Sequence, residues 1–300
     1  MTDGILILNK PQGPTSAQCL NRLKKKFKIK KIGHAGTLDP MATGVLLILT
    51  GQATKLADYI MDGRKTYKGT LRLGLETETY DIEGNDRKEF DYSGIINDDV
   101  ALAIKEWEQL TSQEVPPVSA AKHKGKPLYA LQRAGQKVPV KIKDINVFSA
   151  DVLEIDIPLA SFRISCSTGT YVRSLAHSLG RRLRCGAVLT ELIREQSHPF
   201  NLNQAVDLDK LLESDNLQDY ILPITDALAH WPKLVLNSMN SSLVRNGRPL
   251  DADLFPGESF QENDMALMVS SEGSPEALSI LEQDKDGKFV WAVKRGLWTS

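Results

Sequence analysis

No stretch of this 300-residue sequence approaches the roughly 20 apolar residues of a membrane-spanning helix. The first apolar run, Ile5 to Leu8, is four residues long before Asn9 and Lys10, too short for a signal-peptide core, so a cytoplasmic location is expected. Cysteine is scarce. Cys19, Cys166 and Cys185 are odd in number, far apart and without a CxxC pair, which points away from a disulfide framework or a thiolate zinc site and towards reduced structural thiols. The five histidines offer no HExxH or other close ligand spacing, which argues against a metal hydrolase. There is no internal repeat and no low-complexity tract.

Net charge is only −1, and by itself says nothing for nucleic acid. Its distribution says more. Residues 1–74 carry 13 Lys/Arg against 4 Asp/Glu, and residues 115–150 carry 7 against 1. Residues 75–114 carry 3 against 12, and the last hundred carry 8 against 16. Two basic blocks on an otherwise acidic chain suit a phosphate-binding face, although charge runs are usually only solvated surface.

With 41% apolar residues, the length is enough for a domain of about 200 residues and a smaller one. The first half alternates strand-like and helix-like pieces without a βαβ rhythm, which predicts an α+β fold around a central sheet. Residues 4–8, VLLILT (45–50), TYKGTLRLGL and parts of 145–167 read as strands. Thr15 or Ser16 can cap a helix carrying Cys19, Leu20, Leu23 and Phe27 at helical spacing, and 98–111 and 170–183 also read as helices. The basic stretch from Val115 to Lys143, rich in turn residues, predicts an exposed insertion. The acidic stretch 201–220 predicts a helix-bearing end to the large domain, and MALMVS, ALSIL and FVWAVK predict a small β-rich domain after about residue 231.

One segment draws attention for chemistry. In GHAGTLDPMATGVL, Gly33, Gly36, Gly44 and Pro40 prevent regular structure, so Asp39 is expected on a loop between a short strand and the VLLILT strand. As a bare feature, a Leu-Asp-Pro aspartate more often caps a turn than reacts.

The opening ILNKPQGPTS, the segment KIGHAGTLDPMATGVLLILTGQATKL, KTYKGTLRLG, STGTYVRSLAHSLG and GAVLTELIREQSHPF occur in that order. Together they resemble the family of bacterial tRNA pseudouridine synthases that modify the T-loop uridine, position 55 in tRNA numbering. The resemblance runs over nearly all of residues 1–235. It implies a pseudouridine synthase fold with a central mixed, mainly antiparallel sheet flanked by helices, on residues 1–230, with an inserted RNA-gripping element at about 115–143. More weakly, it implies a PUA-like RNA-binding domain on 231–300.

The same resemblance implies roles. Asp39 matches the catalytic nucleophile. His34 matches the histidine that enters the loop where the flipped base was, and Tyr67 the aromatic that stacks on the uracil and helps to remove its C5 proton. Arg173 matches the arginine paired with the aspartate; such pairing favours the ionised carboxylate and fixes its direction. Tyr171 and Leu192 match positions that contact the nucleotide and wall the pocket. Lys10 matches a lysine whose role is either structural or phosphate-directed. Lys24, Lys25, Lys26, Lys28, Lys30 and Lys31, with Lys122, Lys124 and Lys126, are the expected phosphate contacts. The segment QEVPPVSAAKHKG departs from the family pattern: Glu114 shifts the proline pair and Val118 precedes Ser119.

Breaking the C1′–N1 bond of uridine and rejoining the base through C5 needs no redox change, so no cofactor and no metal are expected. The partner implied is the T-arm of tRNA, with no membrane, no required protein partner and a monomeric enzyme. Two other readings compete. One is a tRNA-binding and refolding factor with catalysis incidental; the other is a glycosidase or nucleotide hydrolase, disfavoured because no second acid is evident at the Asp39 loop.

Overall fold

The computed structural model describes residues 3–119, 121–134, 136, 138–256 and 259–298. The side chains of Lys122 and Lys126 lie outside the described residues. Strand β1 (Gly4–Lys10) leads to helix α1 (Ser16–Phe27), short strand β2 (Ile32–Ala35) and strand β3 (Thr43–Thr50). Helix α2 (Ala57–Met61) precedes strand β4 (Lys65–Leu73), and helix α3 (Asn97–Lys105) follows. Strands β5 (Val147–Asp156) and β6 (Leu159–Cys166) come next, then helix α4 (Val172–Arg182) and strand β7 (Ala187–Ser197).

Local sequence explains several of these. Thr15 caps α1: its hydroxyl accepts from the Gln18 amide at 3.1 Å, while the Gln18 side chain accepts from the Thr15 amide at 2.7 Å. This reciprocal pair satisfies two orphan N–H groups at the helix start. The stripe of Cys19 and Leu23 is buried, and the helix stops at Lys28 in the left-handed conformation, φ 50°. Along β4, odd-numbered residues 65–73 are buried and even-numbered ones are half-buried or exposed, the alternation of a strand that turns one face to the core.

The central sheet runs in the order β5-β6-β4-β7-β3-β1, with the two-residue strand Val206–Asp207 at the end. Its β7–β3 and β1–Val206 pairs are parallel and the other pairs along this path are antiparallel, so the sheet is mixed and mainly antiparallel. Sequence pattern does not predict β7, because Glu191, Arg194 and Glu195 interrupt its apolar residues. It nevertheless occupies a central place, and its Arg194 lies opposite Tyr67 of β4.

Strands β1 and β3 are buried on both faces. Leu6, Leu8, Leu46 and Ile48 pack with α1 and with Tyr67, Leu71 and Leu189 in one core. Ile5, Ile7, Val45, Leu47 and Leu49 pack in a second core with Ile60, Ile224, Leu267, Val269, Leu278 and Leu297. Those last four belong to the C-terminal part, where β8 (Lys233–Leu236), β9 (Met265–Ser270), β10 (Pro275–Gln283) and β11 (Phe289–Gly296) form a second sheet with Leu250–Asp251. Burial of each such side chain contributes about 1.5–3 kcal/mol, so this packing ties the second sheet firmly to the first. Lys55 adds a polar tie, its Nζ donating to the Gly296 carbonyl at 2.6 Å.

Most described residues of the stretch 115–143 are exposed or half-buried, as an exposed insertion requires, but a few are not. Val115, Pro116, Ser119 and Leu128 are buried, because the segment doubles back through a short ladder, Ser112–Glu114 with Ile142–Asp144, and lies against the body of the fold. Its exposed part includes Val140 and Ile142. Among the described residues, no helix is long and apolar enough to cross a membrane, and no cluster of His, Cys, Asp and Glu could hold a metal ion.

Candidate active site

The Asp39 loop, residues 36–42, connects β2 to β3 and has almost no regular structure of its own. Leu38, Met41 and Ala42 are buried in the first core, and long-range polar bonds fix the loop's backbone. Ser16, at the first turn of α1, accepts from the Leu38 amide at 2.9 Å and donates to the Leu38 carbonyl at 3.0 Å. Lys10, fully buried, donates from Nζ to the carbonyls of Ala42 at 2.7 Å, Pro11 at 2.9 Å and Pro40 at 3.2 Å. The Gly13 amide also donates to Pro40. The NKPQGPTS segment is therefore the clamp of the loop, and Lys10 is structural: its donors already meet carbonyls, leaving the ammonium no free face for phosphate.

Arg194 braces the loop from the other side. It is 2% exposed, and its Nε and Nη2 donate to the carbonyls of Val45 at 2.6 Å and Gly36 at 2.7 Å. Gly44, with φ +99°, passes so close to the Arg194 backbone that any Cβ there would collide with it. Sequence reading missed Arg194; the available signal was a cation two residues after Leu192, on the same strand face as a residue already singled out.

Arg173 reaches the loop from α4. Its Nε lies 2.8 Å from Asp39 Oδ2 and its Nη2 donates to Oδ1 at 3.1 Å, so guanidinium and carboxylate meet side-on through two contacts. The guanidinium is itself fixed by three further groups. It donates to the carbonyls of Thr79 at 2.6 Å and Val118 at 3.1 Å, and lies 3.4 Å from Asp81 Oδ2. Val118 belongs to the segment that departs from the family pattern, which thus orients the arginine through its backbone.

Asp81 is a second acid that sequence alone did not reveal. It stands close to Asp39 only because the chain returns after β4. Its carboxylate accepts from Thr79 Oγ1 at 2.7 Å, is 6% exposed and does not line the cavity that Asp39 lines. Burial pushes its pKa up, against the pull of Arg173 and the Thr79 hydroxyl. It sits behind the arginine rather than across a substrate from Asp39, so it does not make the facing carboxylate pair of a glycosidase.

Beside this pair lies a cavity of about 340 Å³, lined by Asp39, Tyr67, Tyr171, Arg173 and Leu192, with Lys65 and Arg194 among the others. Five of the six sequence-derived site residues are thus brought together from four separate elements. Tyr67 is 8% exposed and within hydrogen-bonding contact of Arg194; burial raises its pKa and the guanidinium offsets part of that. Tyr171 is the cap residue of α4. Gln113 clasps its backbone, accepting from its amide at 2.5 Å and donating to its carbonyl at 3.1 Å. Burial raises the Tyr171 pKa as well. Leu192 is 7% exposed on β7, opposite Gly69.

His34 is the residue not brought to the cavity wall. It lies on β2 opposite Ile48, its Nδ1 buried without a hydrogen-bond partner among the described residues, and its pKa is lowered by burial and then by Arg194. Of the expected phosphate contacts, Lys24, Lys25, Lys26, Lys28, Lys30, Lys31 and Lys124 are exposed.

Such a site offers one oriented, partly exposed carboxylate at 35% side-chain exposure, apolar and aromatic walls, and no second acid among the described residues that line it. Residues 24–172 match the family model described as TruB family pseudouridylate synthase, N-terminal domain, and residues 173–229 match that of the tRNA pseudouridylate synthase B C-terminal domain. The chain is similar to tRNA pseudouridine synthase B of Nitratidesulfovibrio vulgaris (strain Miyazaki F), 50% identical over 99% of this chain and 97% of the relative. It is also similar to the protein of that name from Geobacter sulfurreducens, 42% identical over 82% of each. Among solved structures, an H/ACA RNP bound to a substrate RNA containing 2′-deoxyuridine superposes with TM-score 0.71 at 23% identity, covering 99% of this chain and 85% of that one. A Cbf5-Nop10-Gar1 complex gives TM-score 0.71 at 24% identity, covering 98% and 85%. At those identities the likeness is one of fold.

Proposed function

Because the chain belongs to the TruB family of pseudouridylate synthases, we propose that it isomerises uridine 55 in the T-loop of tRNA to pseudouridine, with Asp39 as the covalent catalyst. The observation that carries this reading is the side-on Asp39–Arg173 pair at a cavity walled by Tyr67, Tyr171 and Leu192.

A uridine in a folded T-loop must leave its stack before a carboxylate can reach it, at a cost of a few kcal/mol. His34 takes the vacated place in the loop. Its lowered pKa keeps the imidazole neutral at pH 7, the state suited to stacking among bases. In the cavity, Tyr67 stacks on the uracil while Tyr171 and Leu192 bound the ring. Asp39 then adds to uracil C6 or attacks ribose C1′; either route breaks C1′–N1, lets the base turn, closes C1′–C5 and breaks the bond to Asp39, which leaves as the free carboxylate. The C5 proton leaves and N1 gains one, so the product is an isomer. No electron is transferred, and no cofactor or metal has a step to perform.

The domain assignment follows: residues 1–230 form the catalytic domain and 231–300 a PUA-like RNA-binding domain, in a monomeric cytoplasmic enzyme. The exposed lysines of 24–31 grip phosphates. A refolding factor with incidental catalysis is the weaker reading, because binding alone needs no buried arginine aimed at a carboxylate.

The test is direct. Unmodified tRNA and an isolated T-arm hairpin are incubated with the protein without added metal or nucleotide, and pseudouridine is mapped by chemical labelling. Product at the T-loop uridine alone is expected; binding of both RNAs without product would overturn the proposal.

A further inference from the structure

One buried cation in the cavity has no part in the Asp39 chemistry. Lys65 is 4% exposed on β4, on the same strand face as Tyr67, and lines the same cavity. Its Nζ has no hydrogen-bond partner among the described residues. Burial, and then the Arg194 guanidinium, lower its pKa to about 8, while Asp62 and Cys166 pull the other way. A desolvated, unbonded ammonium is costly to a fold, and folds tolerate one where an acceptor arrives from outside.

The surroundings say which acceptor. Asp39 is the only acid among the cavity-lining residues, and Arg173 is already matched by Asp39 and Asp81. Lys143 also lines the cavity and rests against the Thr168–Thr170 turn so closely that a side chain at Gly169, φ +79°, would collide with its ammonium. Two ammonium groups beside the Thr168–Thr170 turn make a positive corner, although the Thr170 hydroxyl already donates to the Ser167 carbonyl at 2.9 Å. That is the chemistry of an anionic oxygen; a compact ammonium is a point-charge partner for phosphate, without the planar fork that reads a base edge.

We propose that Lys65, with Lys143 and the Thr168–Thr170 turn, forms a phosphate subsite that holds the RNA backbone next to the flipped uridine. This rests on the uridine-flipping reading above. Lys65 carries the anchoring charge-assisted bond and Lys143 adds an outer one. The buried ammonium is thereby a binding group kept dry in advance of its ligand.

The test uses the full chain and T-arm hairpins in which the phosphate on either side of the target uridine is replaced, one at a time, by an uncharged methylphosphonate. Wild-type conversion of the unaltered hairpin scores the general function; the comparisons below score the subsite. Neutralising one of the two phosphates should weaken wild-type binding roughly 10- to 100-fold. Lys65→Met should weaken binding of the unaltered hairpin by a similar factor, reduce the salt slope of affinity by about 0.7–0.9, and gain nothing further from the methylphosphonate. Lys65→Met should also melt at a higher temperature than wild type at pH 7, since it removes a buried cation, which a merely structural lysine would not do. Insensitivity of wild type to both methylphosphonates overturns the proposal even if the variant misfolds. Additive losses, or an unchanged salt slope, would assign Lys65 to an uncharged base oxygen and overturn it too.

Discussion

The Asp39 loop and the C-terminal sheet are positioned against the central sheet by different physics. The loop bearing Asp39 is fixed by polar bonds from residues distant in sequence: Lys10, Ser16, Arg173 and Arg194. By contrast, Leu267, Val269, Leu278 and Leu297 fix the C-terminal sheet by apolar packing against β1 and β3. Apolar packing is non-directional and holds two bodies together without aiming any atom. Hydrogen bonds and ion pairs have preferred lengths and angles, and aim a carboxylate. The difference predicts that substitutions among the polar groups that aim Asp39 change rate at constant fold, and those in the packing of the C-terminal sheet change stability at constant rate.

Asp39→Asn should have the largest effect. It keeps shape and leaves tRNA affinity within a few-fold, yet single-turnover conversion should fall by at least about 10³-fold. Near-normal turnover would remove Asp39 from the chemistry and the comparison with it. Arg173→Lys should follow, losing roughly 10²- to 10³-fold in rate at saturating enzyme because a point charge cannot make both contacts to Asp39. A drop in melting temperature without a drop in rate would mean that Arg173 serves the fold instead.

In the C-terminal sheet, Leu278→Ala opens a void at a fully buried position and should cost about 2–5 kcal/mol of stability in denaturant titrations. Rate per folded molecule should stay within about twofold of wild type; a large rate loss would show that the two regions are coupled. Deleting 231–300 exposes the same apolar surface and should lower stability and solubility, in addition to any loss of tRNA affinity.

The smallest effect is expected from Asp81→Asn. Burial raises the folded-state pKa of Asp81 above its unfolded value, so between the two values the folded state binds the extra proton and stability falls as pH rises. The asparagine variant should lack this slope in thermal melts from pH 4 to 7. An unchanged slope would assign it to another group.

Much of the fold was legible residue by residue. The Thr15 cap, the Cys19–Leu23 stripe, the apolar 45–50 strand and the three C-terminal strands all follow from local pattern, since burial imposes a period on each element. Strand β7 was not legible, because Arg194 points inward and breaks the apolar run; its charge is met by the carbonyls of Gly36 in the Asp39 loop and Val45 on β3 and by Tyr67. The segment 115–143 reads as surface because it is rich in lysine and proline, yet it delivers the Val118 carbonyl to Arg173.

Asp39, Tyr67, Tyr171, Arg173 and Leu192 were named from a motif resemblance, and composition alone would not have chosen them. What the sequence by itself determined is which elements form and which faces are apolar, because helix and strand periods and turn chemistry are local. Tertiary structure alone decided that Arg194 and Asp81 join the site, that His34 stands off the cavity wall and that Lys65 is a dry cation. Those facts depend on burial and on bonds between residues far apart in the chain, and no local pattern encodes a distance.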